Sequence, residues 1–279
     1  MRRPFVLADG VLVLLFWVAV TVLAQAPEIH SEHFVAGYPT GTPATNDLII
    51  RDSYALSSND DTKFADWVAY RLTAAEVVGT LDLARDFRTD PFLAEDETLE
   101  ASGPDDYAGA HAANGYDRGH LAALASFKGS RNASEVNFYS NIVPQLEDLN
   151  RGPWVRLENA ERRIACAGTP VWIMIGTLFE SPMPPLLTTE VHTVPSAFWR
   201  VFVTQTPTLQ VAAFIMGQDI ARGADIRDHL VSVREIELRS GLELFPAFTT
   251  AQQDAIETAA LTPAEWDAMV PNRACVSVR

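Results

Sequence analysis

The sequence predicts an α+β fold, with strands and helices mixed rather than alternating. Strand-like runs rich in aromatic and β-branched residues occur at 64–72, 171–179, 197–204 and 209–216. Helical spacing occurs from Asn150 to about Ala165, and again in "VSVREIELRSG", which ends at Gly241. No regular strand–helix repeat joins these segments, which argues against a wound parallel sheet. The 279 residues are 48% hydrophobic and 20% charged, enough apolar content to bury one large core. No linker-like run divides the middle of the chain, so residues 25–279 are expected to form a single domain.

The N-terminus is a separate matter. Arg2 and Arg3 precede the apolar run "VLVLLFWVAVTVLA" from Val11 to Ala24, and small residues follow. That is the pattern of a secretory signal peptide. The run is shorter than the roughly 20 residues a membrane-spanning helix needs. Pro27 disfavours cleavage after Ala26, so the expected cut follows Ala24, leaving a secreted or periplasmic protein with no membrane segment. An uncleaved anchor is the competing reading.

Residues 27–62 are polar and punctuated by Pro and Gly, with one strand expected at "DLIIRDSYAL". "FADWVAYRL" reads as a core strand, and residues 88–115 as a long acidic loop. A further strand is expected at "EVNFYSNIV". A helix should open close to Asn150, because Trp154, Leu157, Ala160 and Ile164 recur at spacings of three and four. Pro153 would lie in its first turn, where a missing N–H costs nothing. Cys166 and Cys275 are the only cysteines. They form either one disulfide, as suits an oxidising compartment, or two unpaired thiols, and a cysteine-built zinc site is excluded.

The formal net charge is −15, which argues against a simple nucleic-acid-binding module. Residues 117–163 are the exception: they net +1 while the rest of the chain carries −16. That segment begins inside "GYDRGHLAALASF", residues 115–127. If it is extended, Arg118 and His120 share a face, and Gly119 between them leaves room for a close approach. A neutral imidazole suits proton removal from water near pH 7. Asn141 follows in "SNIVPQ" and Asn150 in "LNRGPWVRLENAERR", giving a strand, a second strand and a helix. The amide oxygen of Asn150 is a hard ligand of the kind Mg²⁺ accepts.

Taken together, "DRGH", "NFYSNIVPQ" and "LNRGPWVRLE" resemble the DNA/RNA non-specific endonucleases of the ββα-metal, or His-Me finger, superfamily. The resemblance extends over most of the chain beyond the N-terminal segment. It implies a ββα-metal finger on a mixed, mostly antiparallel sheet core with flanking helices. It also implies a sugar-non-specific endonuclease that hydrolyses internal phosphodiester bonds of DNA and RNA, without reading sequence, to give 5′-phosphate ends. On the family pattern His120 is the general base and Asn150 the direct ligand of Mg²⁺, with Mn²⁺ as a substitute. Glu158 would hold a metal-bound water, and Asn141 would support the metal site. Arg162 and Arg85 would bind phosphate, while Asp117 and Arg118 would shape the histidine loop. The backbone near Asn137 would fix the imidazole tautomer. Monomer and homodimer both remain open. Two other classes compete: a nuclease-like protein that binds nucleic acid without cutting it, and an enzyme of small phosphodiesters.

Overall fold

A computed structural model of the chain describes residues 29–94, 96–99, 106–272 and 275. The expected signal segment, 1–24, lies outside the described residues, among which no helix is long and apolar enough to cross a membrane. The strands are β1 (Asp47–Ile50), β2 (Ala55–Ser58), β3 (Ala65–Leu72), β4 (Tyr116–His120) and β5 (Ile142–Leu146). They continue as β6 (Val171–Leu178), β7 (Ala197–Thr204), β8 (Gln210–Gly217) and β9 (Leu230–Val231). Seven form one sheet in the order β1-β2-β3-β6-β7-β8-β9, with every neighbour antiparallel. β4 and β5 form a separate two-stranded ribbon. The helices are α1 (Ala74–Val77), α2 (Ala110–Asn114), α3 (Glu147–Leu149), α4 (Val155–Cys166), α5 (Val233–Ser240), α6 (Thr250–Glu257) and α7 (Pro263–Met269).

The central strands are apolar on both faces because helices cover both. Side chains alternate across a strand. In β7, Phe198 and Phe202 enter the core beneath α4, with Leu157, Ala160 and Ile164. Trp199, Val201 and Val203 enter a second core on the other face, with Val233 and Ile236 of α5. The fold is therefore α+β, with a mostly antiparallel sheet between helical layers. The cysteines are joined: Cys166 at the end of α4 is disulfide-bonded to Cys275, with their Cα atoms 5.4 Å apart.

Three expected boundaries move. "DLIIRDSYAL" is a hairpin rather than one strand, because the chain reverses at Asp52 and Ser53 and the Arg51 N–H donates to the Tyr54 carbonyl at 2.8 Å. "EVNFYSNIV" is mostly tight helical turns, Ala133–Asn137 and Tyr139–Asn141, and the strand begins only at Ile142. Its asparagine side chains bond backbone groups and so compete with strand pairing. The regular helix opens at Val155 rather than Asn150. Between them runs a kinked turn, Asn150–Trp154, in which Gly152 leaves helical geometry (φ −113°, ψ −110°) just before Pro153. A Cβ on Gly152 would lie 2.6 Å from the Arg222 carbonyl oxygen, so the kink needs glycine.

Candidate active site

The ribbon β4–β5, the kinked turn and α4 enclose one side of a cleft of about 1040 Å³. His120, Arg118, Asp117, Asn150, Glu158 and Arg85 all line it. Residues far apart in sequence thus converge on one space.

His120 ends β4, where it pairs with Ile142 of β5. It is buried, and its ring packs 5.5 Å from that of Phe87. Its Nε2 lies 3.0 Å from Oδ1 of Asn137. Asn137 donates its Nδ2 to the Ala84 carbonyl at 2.9 Å, which fixes the amide so that Oδ1 faces the imidazole. Oxygen there can only accept, so Nε2 carries the hydrogen and Nδ1 is the basic nitrogen. The expectation that backbone near Asn137 sets the tautomer is corrected: the side chain does so. Burial lowers the imidazole to about 4, helped by the nearby Arg85 charge and opposed by the Asn137 bond. The ring is therefore neutral, with an open acceptor, throughout the neutral range.

Gly119 does not make room for a ligand. A Cβ there would lie 2.2 Å from Oε1 of Gln145, which is buried against the ribbon. The glycine lets β5 place Gln145 beneath the histidine strand. Gly119→Ala is expected to cost about 1–3 kcal/mol by overpacking. Chemical unfolding measures this, and a neutral substitution would show that Gln145 moves freely.

Asp117 orients the next group. Its carboxylate accepts from Arg151 Nε at 2.8 Å and Nη2 at 2.6 Å, and from Asn150 Nδ2 at 2.9 Å. Burial alone would raise the Asp117 carboxyl, but the Arg151 and Asn150 hydrogen bonds outweigh it and hold the group below its usual value. Because Asn150 spends its Nδ2 on Asp117, the amide oxygen Oδ1 is the end left to serve as a ligand. Among the described residues, no group of three or more His, Cys, Asp or Glu in the cleft could hold an ion by itself. The donor set is a neutral amide oxygen with Glu158 nearby, which fits a hard divalent ion that keeps most of its waters.

Glu158 and Arg162 stand one turn apart on α4, 3.8 Å between Oε2 and Nη1, and both are largely buried. Burial pushes the Glu158 carboxyl up to about 7, against the pull of Arg200, Arg162 and Arg85. Arg162 itself does not line the main cleft. It donates to Ser126 Oγ at 3.1 Å and Asn159 Oδ1 at 2.8 Å, and it faces an adjoining recess that shares Ala125 and Lys128 with the cleft. Asn141 also departs from expectation. It is wholly buried, and its amide accepts from Ala122 N–H at 2.8 Å and donates to the carbonyls of Ala122 (3.0 Å) and Val136 (2.7 Å). Its hydrogen-bonding groups go to backbone, so it clamps the loop after His120 and does not itself line the cleft.

Sequence reasoning missed the layer beneath. Arg200 shares the α4 face of β7 with Phe198 and Phe202 and meets Glu161 of α4, Nη1 to Oε2 at 3.0 Å, with both side chains fully buried. Tyr70 of β3 and Ser126 also donate to Glu161 (3.1 and 2.6 Å to Oε1), and Ser126 in turn receives Arg162. Arg200 Nη2 donates to the Leu121 carbonyl at 3.3 Å, and Trp154 Nε1 to that of His120 at 3.4 Å. The network ties α4 and the histidine loop to the sheet. A charge inside the apolar run "AFWRVFVT" was the available signal.

The family model for DNA/RNA non-specific endonucleases matches residues 31–251. The chain is 39% identical over 241 residues to a nuclease of Serratia marcescens, covering 84% of this chain and 88% of that protein. It is 29% identical over 223 residues to human mitochondrial endonuclease G, covering 74% of this chain and 72% of that protein. Among solved structures, a chain of the EndoG/EndoGI complex superposes with a TM-score of 0.64 at 25% identity. That match covers 76% of this chain and 91% of that one.

Proposed function

The chain belongs to the DNA/RNA non-specific endonuclease family and is a nuclease, and from that premise we propose that it cuts internal phosphodiester bonds in this cleft with His120 as general base and Mg²⁺ held by Asn150. One observation carries the reading: a neutral histidine with its Nδ1 open shares the cleft with the amide oxygen of Asn150, Glu158 and Arg85.

His120 Nδ1 takes a proton from the attacking water. The imidazolium that results is stabilised by the negative phosphate beside it, which offsets the low basicity that burial imposes. Asn137 holds the ring through Nε2 at the same time. Bound Mg²⁺ would supply charge neutralisation for the leaving 3′-oxygen. Asp117 keeps the Asn150 oxygen turned away from itself, and Glu158 offers a carboxylate for a metal-bound water. Arg85 sits where it can meet a non-bridging oxygen. Arg162, one recess away, takes an adjacent phosphate. The 5′-phosphate ends in this reading are what the family resemblance implies. The N-terminal segment and the disulfide support export, since disulfides persist in oxidising compartments.

Supercoiled plasmid and RNA, incubated with the purified chain in Mg²⁺, are both expected to be cut, and chelation is expected to stop it. Failure on closed circular DNA would exclude an endonuclease. The pH profile is a second test. A base with a pKa of about 4 is neutral above that value, so the limb of kcat/KM that belongs to His120 is expected below roughly pH 4, at about tenfold per pH unit, and apart from any loss nearer pH 7 that comes from protonating Glu158. An acid limb near pH 6.5 that His120→Gln removes would show that the imidazole is far more solvated than its burial implies.

A further inference from the structure

Three carboxylates converge on the face of the sheet opposite the cleft. Glu237 lies in α5 and Glu257 ends α6. Glu243 lies between the two helices and exchanges two backbone hydrogen bonds of 2.9 Å with Thr40. One oxygen from each carboxylate lies within 4.8 Å of the others. Glu257 is fully buried and its carboxyl meets that of Glu237; Arg234 forms an ion pair with Oε2 at 2.7 Å, and no N–H donates a hydrogen bond to either oxygen, leaving Oε1 with no counter-charge. Glu237 spends Oε1 on the Leu244 N–H at 3.0 Å, and its buried Oε2 makes no hydrogen bond, with Arg234 Nη1 3.7 Å away. Glu243 accepts from Phe245 N–H at 3.2 Å and Gln253 Nε2 at 2.9 Å, both on Oε1.

The charges do not balance. Three carboxylates face one guanidinium, and Asp254 also draws on it at 3.7 Å. A buried carboxylate oxygen without a partner is costly and calls for a proton or a cation. Oxygens around a cation at 2.3–2.6 Å stand at most about 4.6–5.2 Å apart, which matches this spacing. An anionic, all-oxygen and irregular donor set suits Ca²⁺, whereas Mg²⁺ demands a strict octahedron and keeps its waters.

We propose that Glu237, Glu243 and Glu257 form a Ca²⁺ site that ties α5 to α6 and to the backbone at Thr40. The ion acts on stability and not on the cleft, because α5 packs on the Trp199 and Val201 face while α4 packs on the Phe198 and Phe202 face.

The test uses the purified chain, stripped with a chelator, as wild type and as Asn150→Ala, which removes the proposed ligand in the cleft. Calcium at ten times its Kd is expected to raise the Tm of both by roughly 3–6 °C. Calorimetric titration of Asn150→Ala is expected to show one calcium site. Glu243→Gln, at the most open corner of the cluster, is expected to fold and to lose both the shift and the site. The proposal is overturned if Ca²⁺ leaves the Tm of Asn150→Ala unchanged, or if the shift survives both Glu243→Gln and Glu257→Gln. An equal response to Mg²⁺ would overturn the assignment to calcium.

Discussion

His120→Ala is expected to lower kcat on plasmid DNA and on RNA by about 100- to 10,000-fold, the usual contribution of a positioned general base. The loss should fall on kcat rather than KM, since the imidazole meets the attacking water and not the phosphate backbone. The side chain is buried, so the comparison needs a thermal melt of both proteins. His120→Gln, closer in shape, separates lost chemistry from lost packing against Phe87. Both variants should retain affinity for DNA, because Arg85, Arg162 and Lys128 remain. Activity within fivefold of wild type in both would move the base elsewhere. Asn137→Ala is the companion: it frees the Nε2 hydrogen and the ring orientation, so it should cost kcat by a smaller factor while His120 is still present.

The largest expected loss of stability is at Arg200. Arg200→Met leaves Glu161 fully buried without its cation and should cost about 3–5 kcal/mol, or roughly 10 °C in Tm. Tyr70 and Ser126 still donate to Glu161, but hydroxyls do not neutralise it. The double variant Arg200→Met with Glu161→Met should recover most of the loss, since replacing both members of a buried pair by apolar groups is often neutral. Failure of the double variant to recover would assign the cost to the cavity around Trp154, over which the guanidinium lies at 4.4 Å. Activity is expected to fall with Arg200→Met even where the chain is folded, because Arg200 also holds the Leu121 carbonyl next to the base.

Much of this was legible in one dimension. The core strands at 171, 197 and 210 are long enough to be read from composition within a residue or so. The Gly241 stop of α5 also stands where expected, at φ 76°. Elements fixed by side-chain bonding were not legible. Asn137 and Asn141 turn "EVNFYSNIV" into clamps, and nothing in their spacing separates an amide that bonds a carbonyl from one that bonds an imidazole. Gly152 and Pro153 delay the helix, which the periodicity of Trp154 and Leu157 could not reveal.

Local chemistry settled which side chains could do the work: a histidine to accept a proton, an amide oxygen for a hard cation, a carboxylate and arginines. Those are properties of residue types and near-neighbour motifs, and they survive in the string of letters. Three-dimensional packing decided the rest. It buried His120 until its pKa fell to about 4, and it turned Asn150 through a bond from a residue 33 positions earlier. It placed Arg162 one recess away and set an ion pair from β7 beneath α4. Burial, charge pairing and hydrogen-bond direction depend on which surfaces meet, and that is fixed only when distant strands and helices share a core.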